Sequence, residues 1–283
     1  MKVLCFGEVL WDVFATEKKI GGAPFNFAAH LVKNGVPAAV YSAVGQDELG
    51  AEALQAVRAL QVDENCIATV TEETAVCLVT LQNGMPDYNI KLGTAMDAIP
   101  VMPLTEPYDG LYYGTLAQRD PRSASALQTL LSDGKFQHVF CDVNIRQRYY
   151  SREVLDRSIG SCTILKLSRE EIGVLSETCI STAQGNEAIA RDLCAKYPNL
   201  QTVIITLDAD GAYVYDGARD YYAPKPNCTV VSTVGAGDSF SATFFASVLQ
   251  GKSVEEALLR ASRVSAFVVT ELGAIPDYPA DLL

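Results

Sequence analysis

Short apolar runs of β-strand composition alternate with amphipathic helical patterns along most of this chain. The strand-like runs lie at residues 2–7, 38–43, 110–114, 137–142, 162–167 and 202–207. The helical patterns lie at residues 25–34, 47–60, 121–132, 151–159, 183–196, 236–249 and 253–270. Because a helix between two strands brings the chain back to add a parallel strand, this alternation predicts an α/β fold with a mostly parallel sheet and helices on both faces.

Segment 63–92 breaks the alternation. Its runs CIATV, AVCLVTL and DYNIKL are strand-like and carry no helical pattern between them, and turn signals such as Asn83-Gly84 separate them. Such spacing is typical of antiparallel strands joined by tight turns. We therefore predict an antiparallel insertion that, together with residues 10–19, forms a small sheet projecting from the main body.

Composition and charge limit the class of partner. A chain of 283 residues that is 49% hydrophobic can bury a large core. Its 22 basic and 34 acidic residues give a net charge of -12, which disfavours nucleic acid or an anionic membrane as a partner. The opening run KVLCFGEVL lacks a signal-peptide cleavage site, and no apolar run is long enough to span a bilayer. A cytoplasmic location is expected.

The cysteines and histidines show no spacing that would indicate a metal or catalytic site. Eight cysteines are scattered without a C-x-x-C pair, mostly within apolar patterns. We interpret them as small buried residues of a reducing compartment. His30 and His138 have neither metal-ligand nor triad spacing, and both are expected to be structural.

The glycine-rich run STVGAGDSF, residues 232–240, is the strongest indication of chemistry. Gly235 and Gly237 allow a tight turn that directs several N–H groups to one point at the start of a helix, where a phosphate is favoured. Asp238 would repel that phosphate, which is tolerable if its carboxylate accepts a proton from an attacking hydroxyl. The alternative is an ordinary acid in the first helical turn, favoured by the helix dipole.

Two familiar nucleotide motifs are excluded. The run Gly251-Lys252-Ser253 resembles the end of a Walker A loop, but the earlier glycine is absent and the run closes a helix. The run GAGDSF fails the dinucleotide fingerprint, because Phe240 occupies the position of the third glycine.

A second set of residues indicates hydroxyl binding. In the run GGAPFNFA, Gly22 permits the close approach of a ligand and Asn26 offers a donor and acceptors to hydroxyl groups; a turn leading into a helix is the alternative. Asp12 lies between Trp11 and Val13 in an apolar strand. A carboxylate there is costly to bury unless it is hydrogen-bonded, and paired sugar hydroxyls would supply those bonds.

Together these motifs resemble the PfkB/ribokinase family of carbohydrate kinases, and most closely its fructokinases. The likeness spans the chain, from GEVLWDVF and GGAPFNFAAHL through SAVGQDELG, GTLAQRD, DVNIRQRYYS and KLSREEI to TVGAGDSF and ELGAIP. The resemblance implies a single domain over residues 1–283 with a three-layer α/β/α ribokinase-like core. It also implies a small β-sheet lid formed by segments near 10–19 and 63–92.

The resemblance assigns roles residue by residue. Asp238 would be the catalytic base, and the amides of Gly235, Ala236 and Gly237 would form the anion hole. Sugar binding would involve Asp12, Gly22, Asn26, Asn144 and Arg146. Nucleotide binding would involve Thr206, Gly211, Thr233, Gly235 and Gly237. Glu171 would help to place Mg²⁺ and its waters. From the residues alone, Arg146 could equally be a solvated or ion-paired arginine, and Glu171 a helix-surface acid.

The sequence departs from the family pattern at four positions. The resemblance implies ATP and Mg²⁺ as cofactors. Ser232 replaces an acid that in the family orders the loop beside a monovalent cation, so a role for K⁺ is left open. Ser168 replaces the asparagine of the N-x-x-E motif. Asp208 replaces a glycine on the nucleotide side, and Met96 stands where fructokinases often have tryptophan.

The implied activity is transfer of the γ-phosphoryl group of ATP to the primary hydroxyl of a ketohexose, with fructose the expected sugar. Other kinase substrates, namely ribose, 2-keto-3-deoxygluconate or a nucleoside, remain alternatives, as does a non-catalytic sugar-binding regulator. An apolar wall for the sugar ring is expected from Trp11, Phe14, Phe25, Phe27 and Met96. We further expect the lid to close on sugar, and a homodimer to form through the lid.

Overall fold

A computed structural model describes residues 1–82 and 85–283, and the predicted Asn83-Gly84 turn lies outside them. The strands are β1 (Val3–Phe6), β2 (Leu10–Val13), β3 (Lys18–Gly21), β4 (Ala38–Gly45), β5 (Ile67–Val70), β6 (Ala75–Gln82), β7 (Met85–Ile90), β8 (Gly110–Tyr113), β9 (His138–Asp142), β10 (Ile164–Ser168), β11 (Thr202–Thr206), β12 (Ala212–Tyr215) and β13 (Asp220–Ala223).

The helices are α1 (Ala23–Lys33), α2 (Glu48–Ala59), α3 (Pro121–Asp133), α4 (Arg152–Ser161), α5 (Arg169–Glu177), α6 (Asn186–Lys196), α7 (Ala236–Leu249) and α8 (Val254–Val268). Within the described ranges, none of the helices combines the length and apolar composition of a bilayer-crossing segment.

The main sheet confirms the predicted parallel architecture. Its strand order is β13-β12-β11-β10-β9-β8-β1-β4-β5. The strands from β11 to β5 in that order pair in parallel, whereas β12 and β13 add an antiparallel hairpin at one edge. The chain runs from β1 outward through β4 and then returns to the other side of β1 at β8. In sheets of this kind ligands bind outside the carboxyl ends of the strands, near such a reversal.

Helices cover both faces of this sheet and give three layers. Successive side chains of a strand point to opposite faces, so Leu4 and Phe6 belong to one apolar core and Val3 and Cys5 to another. The first core includes residues of α3, α4, α5 and α6. The second includes residues of α1, α2, α7 and α8.

A smaller sheet forms the lid, with strand order β3-β2-β6-β7. The pairs β2–β3 and β6–β7 are antiparallel, whereas β2 and β6 are parallel. Arg119 fastens the chain where it leaves the lid: its guanidinium donates to the carbonyl oxygen of Lys91 at 2.6 Å and pairs with the buried Asp97. The homodimer expected through this lid stays a prediction.

The structure corrects two sequence predictions about elements and adds two elements that were not predicted. The run CIATV, assigned to the antiparallel insertion, forms β5, which pairs in parallel with β4 at the edge of the main sheet. The remaining insertion is mixed, because β6 pairs in parallel with β2. Helix α5 and the β12–β13 hairpin were not predicted. The signal for α5 is the capping box formed by Ser168 and Glu171.

The structure confirms that most of the cysteines are buried and that His30 has a structural role. Five cysteines are buried, whereas Cys179 is exposed and does not fit the interpretation as a buried residue. His30 is fully buried; one ring nitrogen contacts the carbonyl oxygen of Ala274 at 2.9 Å and the other the hydroxyl of Tyr278 at 2.5 Å. A carbonyl can only accept, so Nε2 donates to Ala274 and Nδ1 accepts from Tyr278. Burial lowers the pKa of His30 to about 4.

Candidate active site

A cleft of about 790 Å³ lies between the lid and the carboxyl edge of the main sheet. Parallel strands end at the same edge, so residues distant in sequence meet there: Glu8 follows β1, Asn144 follows β9 and Asp208 follows β11. The sequence-predicted site residues that line this cleft are Asp12, Gly22, Asn26, Asn144, Arg146, Glu171, Thr206, Gly211, Thr233, Gly235, Ala236, Gly237 and Asp238. These thirteen residues, which the motifs had indicated, are thus brought to one cavity.

The glycine-rich turn leaves the start of α7 open to the cleft. No side chain caps α7, as is also the case for α1 and α6, whereas aspartate or serine side chains cap α2, α3, α4, α5 and α8. The N–H of Ala236 makes a long bond, 3.3 Å, to the carbonyl oxygen of Thr233. The first N–H groups of a helix need partners, and they attract anions when no cap is present. Gly235 has φ +81°, and a Cβ at that position would lie 2.4 Å from the carbonyl oxygen of Ala274. Only glycine therefore fits this turn without displacing the segment around Ala274.

Asp238 lies in the first turn of α7 and is hydrogen-bonded to a residue predicted to hold sugar. The Nδ2 group of Asn26 donates to Oδ2 of Asp238 at 2.8 Å. Burial raises the pKa of Asp238, against the lowering effects of the Asn26 bond and the positive charges of Arg146 and Lys166. In the described part of the chain, Oδ1 of Asn26 is buried and has no hydrogen-bond partner. That oxygen remains able to accept a bond from a ligand hydroxyl.

Sequence reasoning missed a buried ion pair in the floor of the cleft. Lys166 on β10 donates to Oδ1 of Asp142 on the adjacent β9 at 3.1 Å, and the hydroxyl of Ser241 lies 3.3 Å from Oδ2 of the same carboxyl group. Burial raises the pKa of Asp142 to about 6, although Lys166 opposes this shift. The signal was present in the sequence, because Lys166 interrupts an apolar strand just as Asp12 does.

Glu8 is a second residue that sequence reasoning missed. It is 4% exposed, lines the cleft, and accepts the N–H of Ala23 at 3.2 Å, which places it under the start of α1. Burial raises its pKa from 4.5 to about 7, and the charge of Asp238 acts in the same direction. Clustered acids with raised pKa values are common at functional sites.

Replacing Glu8 with glutamine is expected to stabilise the protein at pH 8. Between pH 4.5 and about 7 the native Glu8 keeps a proton that the unfolded chain has lost. The native state then binds more protons, so stability falls as pH rises through this window, and the loss is complete above it. We expect Glu8→Gln to raise the free energy of unfolding by up to about 3 kcal/mol at pH 8 and by little at pH 4.5.

Urea unfolding at several pH values would measure this effect. The control is Glu48→Gln, which alters an exposed glutamate and should change stability by no more than about 0.5 kcal/mol. If Glu8→Gln raised the free energy of unfolding equally at pH 4.5 and pH 8, the raised pKa of Glu8 would be contradicted.

The lid side of the cleft differs from the predicted apolar wall. Leu10, Cys77, Ile90 and Leu116 line it. Phe25 and Phe27 are fully buried in the core behind α1, Met96 is buried in the core of the lid, and the indole N–H of Trp11 donates to the carbonyl oxygen of Leu49. None of these side chains lines the cleft, and neither does that of Phe14, which packs against the core of the lid. Asp12 lines the cleft, and burial raises its pKa.

Glu171 is held by backbone groups. Its Oε1 accepts the N–H of Ile145 and its Oε2 accepts the N–H of Ser168, both at 2.7 Å. Ser168, which replaces the family asparagine, caps α5 in return. Each carboxylate oxygen has two acceptor sites, so Glu171 braces the loop after β9 and can still accept bonds from metal-bound water.

Among the residues predicted to bind the nucleotide, Gly211 is required to be glycine by the packing of the chain. Gly211 has φ +106°, and a Cβ there would lie 2.1 Å from the carbonyl oxygen of Ala223. Asp208, which replaces a family glycine, takes a left-handed conformation with φ 53°. The hydroxyl of Ser232 accepts the N–H of Val234 at 3.3 Å, so it keeps a local bond within this loop.

Known proteins resemble this chain in sequence and in structure. A fructokinase from Rhizobium leguminosarum bv. trifolii is 26% identical over 267 residues, covering 87% of this chain and 79% of that protein. The solved fructokinase of Xylella fastidiosa with bound ATP has a TM-score of 0.85 at 20% identity, covering 98% of this chain and 95% of that one.

Aminoimidazole riboside kinase of Salmonella enterica, solved with aminoimidazole riboside and an ATP analogue, has a TM-score of 0.83 at 23% identity, covering 99% of this chain and 97% of that one. These structural likenesses confirm the ribokinase-like fold. The sequence model described as pfkB family carbohydrate kinase matches residues 2–281. The resemblance inferred from the motifs is confirmed: the chain belongs to the pfkB family of carbohydrate kinases.

Proposed function

We propose that this protein is an ATP-dependent kinase that phosphorylates the primary hydroxyl of a ketohexose, converting fructose to fructose 6-phosphate. One observation carries the proposal: the Asp238 carboxylate lies beside the uncapped first turn of α7 and is oriented by Asn26 at 2.8 Å. A base and an anion-binding turn within one helical turn suit an attack by a hydroxyl on a phosphoryl group.

In the proposed reaction, Asp238 accepts the proton of the sugar hydroxyl while the oxygen of that hydroxyl bonds to the γ-phosphorus of ATP. The bond from that phosphorus to the ADP oxygen breaks, and the electron pair leaves with ADP. The N–H groups of Gly235, Ala236 and Gly237 stabilise the charge on the transferring group. Asn26 keeps the carboxylate aligned, and the positive charges of Arg146 and Lys166 favour its ionised form.

The cleft suits ATP with Mg²⁺. Thr206, Gly211 and Thr233 line the side proposed for the nucleotide. Within residues 1–82 and 85–283, no group of three or more acidic, histidine or cysteine side chains is assembled as a metal cage. Mg²⁺ usually keeps several waters and takes its other ligands from phosphates and one or two carboxylates. The role proposed for Glu171 is to help place the ion by accepting bonds from its waters. When bound, the ion would neutralise charge on the phosphates.

The proposed sugar contacts come from both sides of the cleft. Asp12 on the lid and the free Oδ1 of Asn26 on α1 can bind vicinal hydroxyls. Gly22, Asn144 and Arg146 complete the polar lining. Fructose is favoured by the likeness to fructokinases. The related kinases also include one that acts on a riboside. The alternative acceptors are therefore ribose, 2-keto-3-deoxygluconate and nucleosides. A non-catalytic regulator would have no need for Asp238.

Measuring ADP release with a panel of acceptors would test the proposal. We expect fructose to give the highest kcat/KM, because an acceptor lacking a partnered hydroxyl leaves a buried polar group unsatisfied. Equal or higher kcat/KM for ribose, 2-keto-3-deoxygluconate or a nucleoside would overturn the sugar assignment and leave the kinase assignment standing. Sugar binding without ADP release would support the regulator.

A further inference from the structure

Lys166 lies directly beneath the turn that begins α7. Its side chain is 8% exposed, yet the residue lines the cleft. Its Nζ lies 3.7 Å from the position that a Cβ at Gly237 would occupy. The ammonium group is therefore next to the backbone that forms the proposed anion hole.

The contacts of Lys166 leave part of its bonding capacity unused. An ammonium group has three N–H donors. Among the described residues, Nζ donates to Oδ1 of Asp142 at 3.1 Å, and the other oxygen of that carboxyl group lies 3.3 Å from the hydroxyl of Ser241. Asp142 is thus held from two sides and fixes the position of the ammonium group. Two donors remain for a group in the cleft.

The charge around the cleft favours an anion as that group. The chain carries a net charge of -12, and Asp142, Glu171 and Asp238 all contribute negative charge near Lys166. A polyphosphate adds further negative charge and needs cations placed close to it. Three basic residues line the cleft: Arg146 is exposed, Lys225 is half-buried and Lys166 is buried. A buried cation is screened less by water and acts more strongly on a neighbouring phosphate.

We propose that Lys166 binds the transferring phosphoryl group, with its ammonium N–H donating to a phosphoryl oxygen while Asp142 holds the side chain in place. This inference rests on the proposed kinase activity. Lys166 keeps its protons throughout: the hydroxyl proton goes to Asp238, the phosphorus–oxygen bond to the sugar forms, and the bond to ADP breaks. Lys166 contributes charge where it develops during transfer.

Replacing Lys166 with methionine, which keeps the length and removes the charge, tests this role. We expect kcat to fall by about 10²–10³, the usual effect of losing one donor to a developing charge, with little change in the KM for the sugar. The matched control is Lys2→Met. Lys2 is ion-paired with Asp63 at 2.6 Å and does not line the cleft, so its replacement should leave kcat unchanged.

A double variant separates this role from that of a mere counter-ion. Lys166→Met alone leaves Asp142 buried without its partner, which could impair activity through the fold. Lys166→Met combined with Asp142→Asn removes both charges and should restore stability. If Lys166 acts on the phosphoryl group, the double variant stays about 10² slower than the wild type. Recovery to wild-type kcat would overturn the proposal.

Nucleotide binding gives a test that needs no sugar. Calorimetry with Mg²⁺ and either ATP or ADP should show that the double variant loses about tenfold or more in affinity for ATP and much less for ADP, which lacks the transferring group. Equal losses for both nucleotides, or no loss, would overturn the proposal. If the wild type phosphorylates none of the acceptors, the proposed function fails, and this comparison still decides whether Lys166 contacts the terminal phosphate.

Discussion

Asp238→Asn is expected to lower kcat by about 10²–10⁴ while the protein stays folded, because the amide cannot accept the proton of the attacking hydroxyl. The amide oxygen can still accept the bond from Asn26, which lies 2.8 Å from the carboxylate in the wild type. Burial raises the pKa of Asp238, so a neutral group at this position should not reduce stability at pH 8. Steady-state kinetics and thermal unfolding would measure the two effects.

The pH profile sharpens this test. In the wild type, kcat/KM should fall on the acid side as Asp238 takes up a proton, and this limb should disappear in Asp238→Asn. Glu255→Gln is the control, because Glu255 is an exposed acid in the first turn of α8 and does not line the cleft. A kcat for Asp238→Asn within threefold of that of the wild type would show that Asp238 is a helix-terminus acid and not the base.

Gly235→Ala is expected to lower both stability and activity, by two separable causes. A left-handed conformation costs a non-glycine residue about 1–2 kcal/mol. The new Cβ would also lie 2.4 Å from the carbonyl oxygen of Ala274, a backbone atom that cannot turn aside. Such overpacking typically adds about 1–3 kcal/mol. Displacing the turn would move the proposed anion-hole amides, and we expect kcat to fall by about 10² or more.

Gly251→Ala is a matched control within the same chain. Gly251 has φ +75° at the end of α7, but a Cβ there would have no atom within 4 Å. The Gly251→Ala variant should lose only the unfolding free energy that the left-handed conformation costs, and its kcat should equal that of the wild type. The difference in unfolding free energy between the two variants measures the contact with Ala274. Equal destabilisation by both substitutions would mean that this contact imposes no constraint on the turn.

The order of layers could be predicted because it depends on short-range patterns. Apolar runs of strand composition, helical periodicity and their alternation lead to a parallel sheet with two covered faces, as found. The predictions of individual elements were wrong or missing where the local sequence pattern is ambiguous. The run CIATV suits either sheet, and only pairing with β4 assigns β5 to the main one. Helix α5 begins at the residue after β10 ends, so no turn signal separates its pattern from that of the strand.

The motifs also identified the residues that line the cleft, because each carries its own chemical signal: a glycine turn, an acid in a strand or an amide beside a glycine pair. What those residues contact was decided by the tertiary structure. Asn26 and Asp238 are 212 positions apart, and no local pattern joins them. Of the aromatic residues expected to face the sugar, Trp11, Phe25 and Phe27 lie in the core, because hydrophobicity predicts burial but not whether the buried face adjoins a ligand.

By itself, the sequence determined the α/β architecture, the family and the position of the glycine-rich turn that begins α7, since backbone preference and apolar periodicity act between near neighbours. Only the tertiary structure decided the electrostatics of the site. Lys166 contacts Asp142 on the adjacent strand and lies next to Gly237, which belongs to a helix distant in sequence. Burial under the start of α1 raises the pKa of Glu8. Charge and desolvation act through space, so their effects depend on which strand ends the sheet brings together.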